Sequence, residues 1–515
     1  MKTISLILLT TISNCLSIVF AQTSKTEISY LPTKISKTEP YKKTDLMKKQ
    51  IFPTTDGVVV IKYSVIANAE IMFQVFKGEE IKLVSTKVEK IPGEYFYVES
   101  IEKMGEHIYM FYSIIDSRKK TSQLFVKEVS QDVAGFTGDA QQIVNTTESL
   151  VYSSRQKGKY SFFLSDGKET ILIKYKFLDK EKNSGNKYEK VRCIVLDSKL
   201  DQVWENDATL PYNESQMGKG KFTITDNADC YAMYEKKADN ELKGYVLFKI
   251  QKDGEVTELP VDFKGKKLTD FKFSEFKNNE VVVAGYYSNT NDNVSNGFFL
   301  MKLNEKGIEM DPEFHEFSSD FIKEYVDPKK IKSNISAEVQ SDKGVIDLEI
   351  TDVLQLENNE ILLSGNSKIK EYYMTESGGT GLDFTYREII LLKINAKGEL
   401  IWSTKIPRLS RNGGYLISIY KNEIHLVFTD NPSNFKLPLN KSANYTEWGG
   451  EMTLCKVNLN DANREYYPLF QTLKINGVKL YDGKISDMIR LSENSFAFEV
   501  SPTSRSEAMY KIHIK

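Results

Sequence analysis

Three short stretches of this chain share one pattern. Lys249-Ile250-Gln251 with Gly254, Lys302-Leu303-Asn304 with Gly307, and Lys393-Ile394-Asn395 with Gly398 each place a glycine five residues after a lysine. A fourth copy, at 195–204, carries a tryptophan instead: Trp204 lies nine residues after Val195, as Trp402 lies nine after Lys393. Weaker echoes are Lys456-Val457-Asn458, Val126-Lys127-Glu128-Val129 and the terminal run from Met509. Each copy reads as a strand, a tight turn and a second strand. The polar residue and the glycine supply the positive φ that hairpin turns need.

A second element precedes each copy, a polar turn followed by an apolar strand. Asn358-Asn359 precedes Ile361 to Leu363, Asn278-Asn279 precedes Val281 to Val283, and Asp56-Gly57 precedes Val58 to Val60. Turn residues bounding β-branched runs are hairpin chemistry. The combined order is strand, turn, apolar strand, variable loop, apolar strand, short turn, strand, which is a four-stranded antiparallel meander. Eight such units fall near 45–91, 95–140, 157–212, 218–263, 267–317, 345–407, 414–470 and 480–514. They average about 60 residues, against roughly 40–50 in better-known propeller repeats. The excess falls between the second and third strands, as in the loop 368–386.

One meander cannot bury both of its faces, so the units must stack. Radial stacking protects nearly every edge strand and gives a β-propeller. The expected fold is therefore all-β, a propeller of eight four-stranded blades over 45–515, with seven as the alternative count. Trp204 and Trp402 should sit at matching places on fourth strands. The last unit ends on its third strand, so ring closure needs a strand from the N-terminus, and 28–35 is the candidate. One segment departs from the pattern: Ser319 and Asp320 open an apolar-periodic run that Pro328 stops, a short helical insertion near 318–327.

The first 21 residues hold one lysine, an apolar run and Ala21 at a small-residue cleavage position. They read as a signal peptide. The polar Asn14 argues against a permanent anchor, which needs about 20 apolar residues. Residues 22–44 form a basic arm that contains the closing strand. The mature chain is thus expected to be exported (periplasmic, cell-surface or secreted), monomeric, and without a transmembrane segment. A net charge of −2 leaves no basic excess for phosphates, so nucleic acid is not an expected partner. Only Cys193, Cys230 and Cys455 follow the leader, too few for a disulfide framework. A total of 28 Tyr and 28 Phe favours strands over helices.

The helix-like DFIKEYVDPKKIK, the Glu371-Tyr372-Tyr373 loop, REIILLKINAKGELIWSTKIP and VFTDNPSN together resemble uncharacterised exported β-propeller proteins of Bacteroidetes-type bacteria. The resemblance covers about Phe314 to Asn434, and it implies fold and export without an activity. The spacing Asn395, Gly398, Trp402 is also similar to the repeat of quinoprotein dehydrogenase propellers, where tryptophans dock between blades. The cofactor residues of that group have no counterpart here.

Catalytic motifs are sparse. His107, His315, His425 and His513 fall in separate units, with His107 and His425 at equivalent second-strand positions, and no HExxH pair exists. There is no G-x-S-x-G elbow, and the glycines around Ser377 lie in a hairpin loop with no helix to cradle phosphate. Asn289 to Gly297 spaces oxygen donors as calcium loops do, but lacks their acidic charge and sixth-position glycine. In TDNPSN, Asp430, Asn431 and Asn434 are candidate binding residues of a loop, set against a strong Asn-Pro turn signal. Neither a cofactor nor a metal is expected. The function expected is a non-enzymatic scaffold that binds a protein or polysaccharide partner; the alternative is an envelope-associated hydrolase acting on a glycan or peptide at the central channel.

Overall fold

Val58-Val59-Val60-Ile61 shows how the chain builds its core. All four are fully buried in the strand Gly57–Tyr63. Successive side chains on a strand point to opposite faces. Here Val58 and Val60 pack towards the last blade of the ring, while Val59 and Ile61 pack towards the second. A strand covered on both faces has no need of polar alternation, which is why the middle strands read as unbroken apolar runs.

The computed structural model describes residues 31, 33–46, 48–64, 70–91, 95–116, 121–146, 160–176, 188–213, 215–238, 241–277, 279–290, 294–327, 344–374, 380–411, 414–446, 449–475, 477–481 and 487–514. The leader 1–21 lies outside them. Eight four-stranded antiparallel blades form a β-propeller. Blades 1 to 7 span 48–89, 95–146, 160–213, 217–259, 267–316, 348–406 and 415–471. Blade 8 joins 489–514 to a strand from the N-terminus. Within each blade the strands are lettered a to d from the centre outwards. First strands of neighbouring blades touch: Lys272 Nζ donates to the Thr351 carbonyl at 2.9 Å and Ser274 Oγ to the Val353 carbonyl at 3.0 Å. Because direction alternates, the a–b and c–d turns emerge on one face of the ring, and the b–c and d–a connections on the other.

Eight apolar clusters fill the eight seams between successive blades. Trp204 pairs with Val195 and Trp402 with Lys393, both on d strands. Each indole donates to a carbonyl in a turn of the following blade, Trp204 to Ala228 at 3.0 Å and Trp402 to Leu459 at 2.9 Å. The tryptophans therefore fasten one blade to the next as the repeat alignment required. Cys193, Cys230 and Cys455 are free and buried on strands.

The ring closes between blades 8 and 1. Thr33–Lys37 pairs antiparallel with Ser506–Ile514, Thr33 opposite Ile514 and Lys37 opposite Tyr510, and Tyr41–Lys42 extends the pairing. The outer strand of blade 8 thus lies later than the expected window 28–35, of which 28–30 and 32 fall outside the described residues. The apolar seam here holds seven buried residues, fewer than any other. A buried ion cluster supplements it: Lys62 Nζ reaches Glu499 at 2.7 Å and Glu507 at 2.6 Å, Lys49 reaches Glu499 at 3.1 Å, and the Tyr41 hydroxyl donates to Glu499.

Three further details differ from the sequence reading. The stretch 368–386 is no loop: strands Ile361–Met374 and Thr380–Ile394 stay paired from Lys368–Tyr386 out to Met374–Thr380 and form a projecting hairpin arm. Blade 8 starts at Ile489 rather than near 480, and Lys474–Ile475 with Val478–Lys479 add a small hairpin to blade 7. The helix α1 is Ser319–Lys323, five residues, capped by Ser318, whose Oγ accepts from the Phe321 N–H. It stops before Tyr325, which is buried at φ 59° with its N–H bonded to the Leu439 carbonyl. No helix among the described residues is long and apolar enough to cross a membrane.

Removing one member of a buried ion cluster leaves its partners uncompensated. Lys62→Met should therefore destabilise the fold by about 3–5 kcal/mol in urea titration. Replacing Lys62, Glu499 and Glu507 together by apolar residues should recover most of that loss. Equal stability of Lys62→Met and the parent would show that the cluster does not hold the seam.

Candidate functional site

The loop candidates from the sequence are placed first. Asp430 ends a b strand and is fully buried, and Asn434 is 1% exposed. Asn434 Nδ2 donates to Asp430 Oδ1 at 2.8 Å and to the Asn444 carbonyl at 3.2 Å, while its Oδ1 accepts from the Asn444 N–H at 2.7 Å. Asn431 Oδ1 accepts from the Ser433 N–H, opening a 3-10 turn, and its amide reaches the Tyr445 carbonyl. These side chains hold the loop 431–446 in shape. Arg408, also fully buried, bonds to Asn366 at 2.9 Å and lies over the rings of Tyr386 and Phe428. Burial pushes the Asp430 carboxyl up to about 7, against the pull of Asn434, the Asn431 amide and Arg408.

The other candidates are dispersed. Ser377 and residues 291–293 lie outside the described residues. Asn289 is spent on its own hairpin, its N–H bonding Asn296 Oδ1 and its Nδ2 bonding Glu316. His107 opens its strand and meets Glu128, whereas His425 sits two residues into its own, beside Glu423. The two histidines are thus two places apart along their strands, and an even offset keeps both on the same face. Among the described residues no three His, Cys, Asp or Glu side chains converge as a cation site.

What the ring does bring together is a set of phenylalanines. The a strands of blades 3 to 6 are Tyr160–Leu164, Met217–Ile224, Lys267–Glu275 and Leu348–Gln355. They line a cavity of about 350 Å³ with Phe162, Phe163, Phe222, Phe271 and Phe273, together with Ile350, Lys221, Lys272 and Asp166. Phe163 and Phe222 meet across the blade 3–4 boundary at 5.6 Å between ring centres. Lys174 Nζ lies 4.0 Å from the Phe222 centroid and Lys221 Nζ 4.8 Å from that of Phe271. A second cavity of about 630 Å³ shares Lys221 and Phe271 and is rimmed by Lys219, Glu235, Lys267, Asp270, Glu349 and Lys368. Ion pairs organise that mouth: Lys221 with Asp270 and Lys368 with Glu349, each at 2.6 Å.

Carboxylates gather at the turn end of the same a strands. Asp166 Oδ2, from the a–b turn of blade 3, accepts from Ser274 Oγ and the Glu275 N–H of blade 5, both at 2.7 Å. The Asp226 N–H of blade 4 donates to Glu275 Oε2 at 2.8 Å. Burial, with Asp226 and Asp166 adding to it, pushes Glu275 up to about 7 although the Asp226 N–H opposes the shift. The site is thus an aromatic waist with a charged mouth on one side and an acidic rim on the other. Sequence reasoning missed it. The signal available was aromatic residues on the first strands of units 3 to 5, in YSFFL, KFTIT and FKFSE.

No protein-family model matches the chain, and no curated protein matches it. Among solved structures, polysaccharide lyase Uly1 is similar at 11% identity and a TM-score of 0.37, covering 81% of this chain and 90% of that one. The β-propeller domain of the Trilobed protease from Pyrococcus furiosus is similar at 10% and 0.34, over 83% and 99%. A protein of unknown function from Bacteroides caccae is similar at 9% and 0.26, over 69% and 93%.

Asp430 titrates with a definite sign. Its pKa in the fold, about 7, exceeds the ordinary value of 3.8, so its contribution is fully present below 3.8 and is lost as pH rises through 7. Asp430→Asn keeps the oxygen that Asn434 needs and removes the titration. The variant's stability should therefore gain on the parent's by roughly 2–4 kcal/mol between pH 4 and 7.5. Urea midpoints that move in parallel across that range would disprove the buried, neutral carboxyl.

Proposed function

We propose that this chain is an exported, non-enzymatic β-propeller that binds a protein or polysaccharide partner, and that a segment of the partner enters the channel beneath blades 3–6. The leader 1–21, the basic arm and the resemblance to exported Bacteroidetes-type proteins belong to the same reading. One observation carries it: five phenylalanines from three blades surround a single open cavity. Concave aromatic surface with a few convergent polar groups is the usual make-up of a binding site. Phe162 and Phe163 remain partly exposed, so a ligand that covers them gains what burial elsewhere has already used up.

Binding to immobilised glycan and peptide arrays tests the reading. Phe163→Ala, at a half-buried position, should weaken the retained ligand about tenfold or more and leave the melting temperature nearly unchanged. Undiminished binding by that variant would remove the channel from the proposal.

A second reading, an envelope hydrolase, is favoured by Glu275. A carboxyl held near pH 7 beside Asp166 and Asp226 is matched to proton transfer. Turnover of a glycan or peptide by the parent, and its loss in Glu275→Gln with binding intact, would establish that reading over the first.

A further inference from the structure

Blade 7 carries more strands than its neighbours. After its d strand, Lys474–Ile475 and Val478–Lys479 form a two-residue hairpin around Gly477 at φ 79°. Lys474 stands directly opposite Lys479 in the register, and both are exposed. Like charges facing each other across a strand pair are destabilising. Lysine on an edge strand also discourages unwanted pairing, but that purpose needs one lysine rather than an opposed couple. Neither lysine has an ion pair among the described residues.

The b–c loop of blade 7 lies beside the hairpin. The Thr472 N–H bonds the Gly450 carbonyl at 2.9 Å, and a Cβ on Gly449 would lie 2.6 Å from Leu473 Cδ1, so the b–c loop of blade 7 rests against the hairpin's approach. That loop adds Lys436, exposed and without an ion pair among the described residues, and Lys441, 3.9 Å from Asp327. Residues 431–446 and 471–481 hold these four lysines and no Asp or Glu; Glu447 and Asp482 follow outside the described residues. In a chain of net charge −2 both segments are locally basic, with Lys441 offset by Asp327. The same two segments expose Tyr481, at 65%, with Tyr445, Leu439 and Leu473. The Tyr481 N–H bonds the Ser501 carbonyl, so the surface reaches blade 8.

We propose that this face of blade 7 is a docking surface for an acidic polysaccharide, independent of the channel. Charge complementarity sets the sign of the partner. Tyr445 and Tyr481 are single aromatic residues on separate segments, unlike the long apolar helix face that membrane insertion uses. A ribbon of two residues gives an extended peptide almost no edge to pair with. A chain that alternates flat sugar faces with carboxylates or sulfates meets both features at once, stacking on tyrosine and pairing with lysine.

The test uses the mature protein and polygalacturonate as probe, with dextran, poly-glutamate and anionic phospholipid vesicles alongside. Polygalacturonate should bind, and high salt should weaken it. Lys474→Gln/Lys479→Gln and, separately, Tyr481→Ala should each weaken it roughly tenfold or more at unchanged melting temperature. Lys82→Gln, at an exposed pair with Glu80 on blade 1, and Phe163→Ala should leave it unaltered. Absence of polygalacturonate binding, or equal binding by the double variant, overturns the proposal. Preference for poly-glutamate or for vesicles overturns it in favour of an acidic protein or a membrane, and loss in Phe163→Ala alone returns the ligand to the channel.

Discussion

A ring of blades has one seam that the order of the chain does not supply. Seven seams join units that are neighbours in sequence, so each forms between segments tethered by a single connection, the longest from 316 to 348. The eighth must bring 33–42 and 48–89 to 489–514, and closing so long a loop carries an entropic penalty that local contacts do not. The protein meets it in two ways. It interlocks the termini, so that blade 8 cannot be completed without the N-terminal strand. It also fastens the thin apolar seam with Lys62, Glu499, Glu507 and Tyr41. Burial tends to neutralise Glu499, but Lys62 and Lys49 outweigh it and hold that carboxyl below its ordinary range. Everything that depends on a closed ring, the channel above all, depends on this clasp.

How much of this the sequence revealed follows from which contacts are local. A hairpin is written in adjacent residues, so Asn395, Gly398 and Trp402 disclosed strand, turn and strand, and matching spacings disclosed eight units. The apolar middle strands announced burial on both faces. The clasp was not visible, because Lys62 and Glu499 are far apart in sequence and each looks like an ordinary charged residue on a strand. The channel was hidden for the same reason, since Phe163, Phe222 and Phe271 converge only after three blades are set around an axis. The hairpin arm 368–386 was mistaken for a loop because its polar and glycine-rich tip outweighed the strand pairing behind it.

The loop at 430–434 teaches a related lesson. Clustered Asp and Asn side chains suggest a ligand, but the same donors and acceptors satisfy backbone groups in a long connection that must cross the face of the ring. Buried polar groups must find partners, and Asn434 finds them in Asp430 and Asn444. Lys436, Lys474 and Lys479, by contrast, meet no carboxylate among the described residues. The difference between the two is whether the chain itself supplies the complement.

Asp166 has a mechanical consequence. By reaching from blade 3 to Ser274 and Glu275 it skips blade 4 and ties two alternate blades together at one rim. Three consecutive blades are thereby braced together at that rim. A chain segment that entered past the acidic rim would meet two cross-braced blades there, with blade 4 held between them.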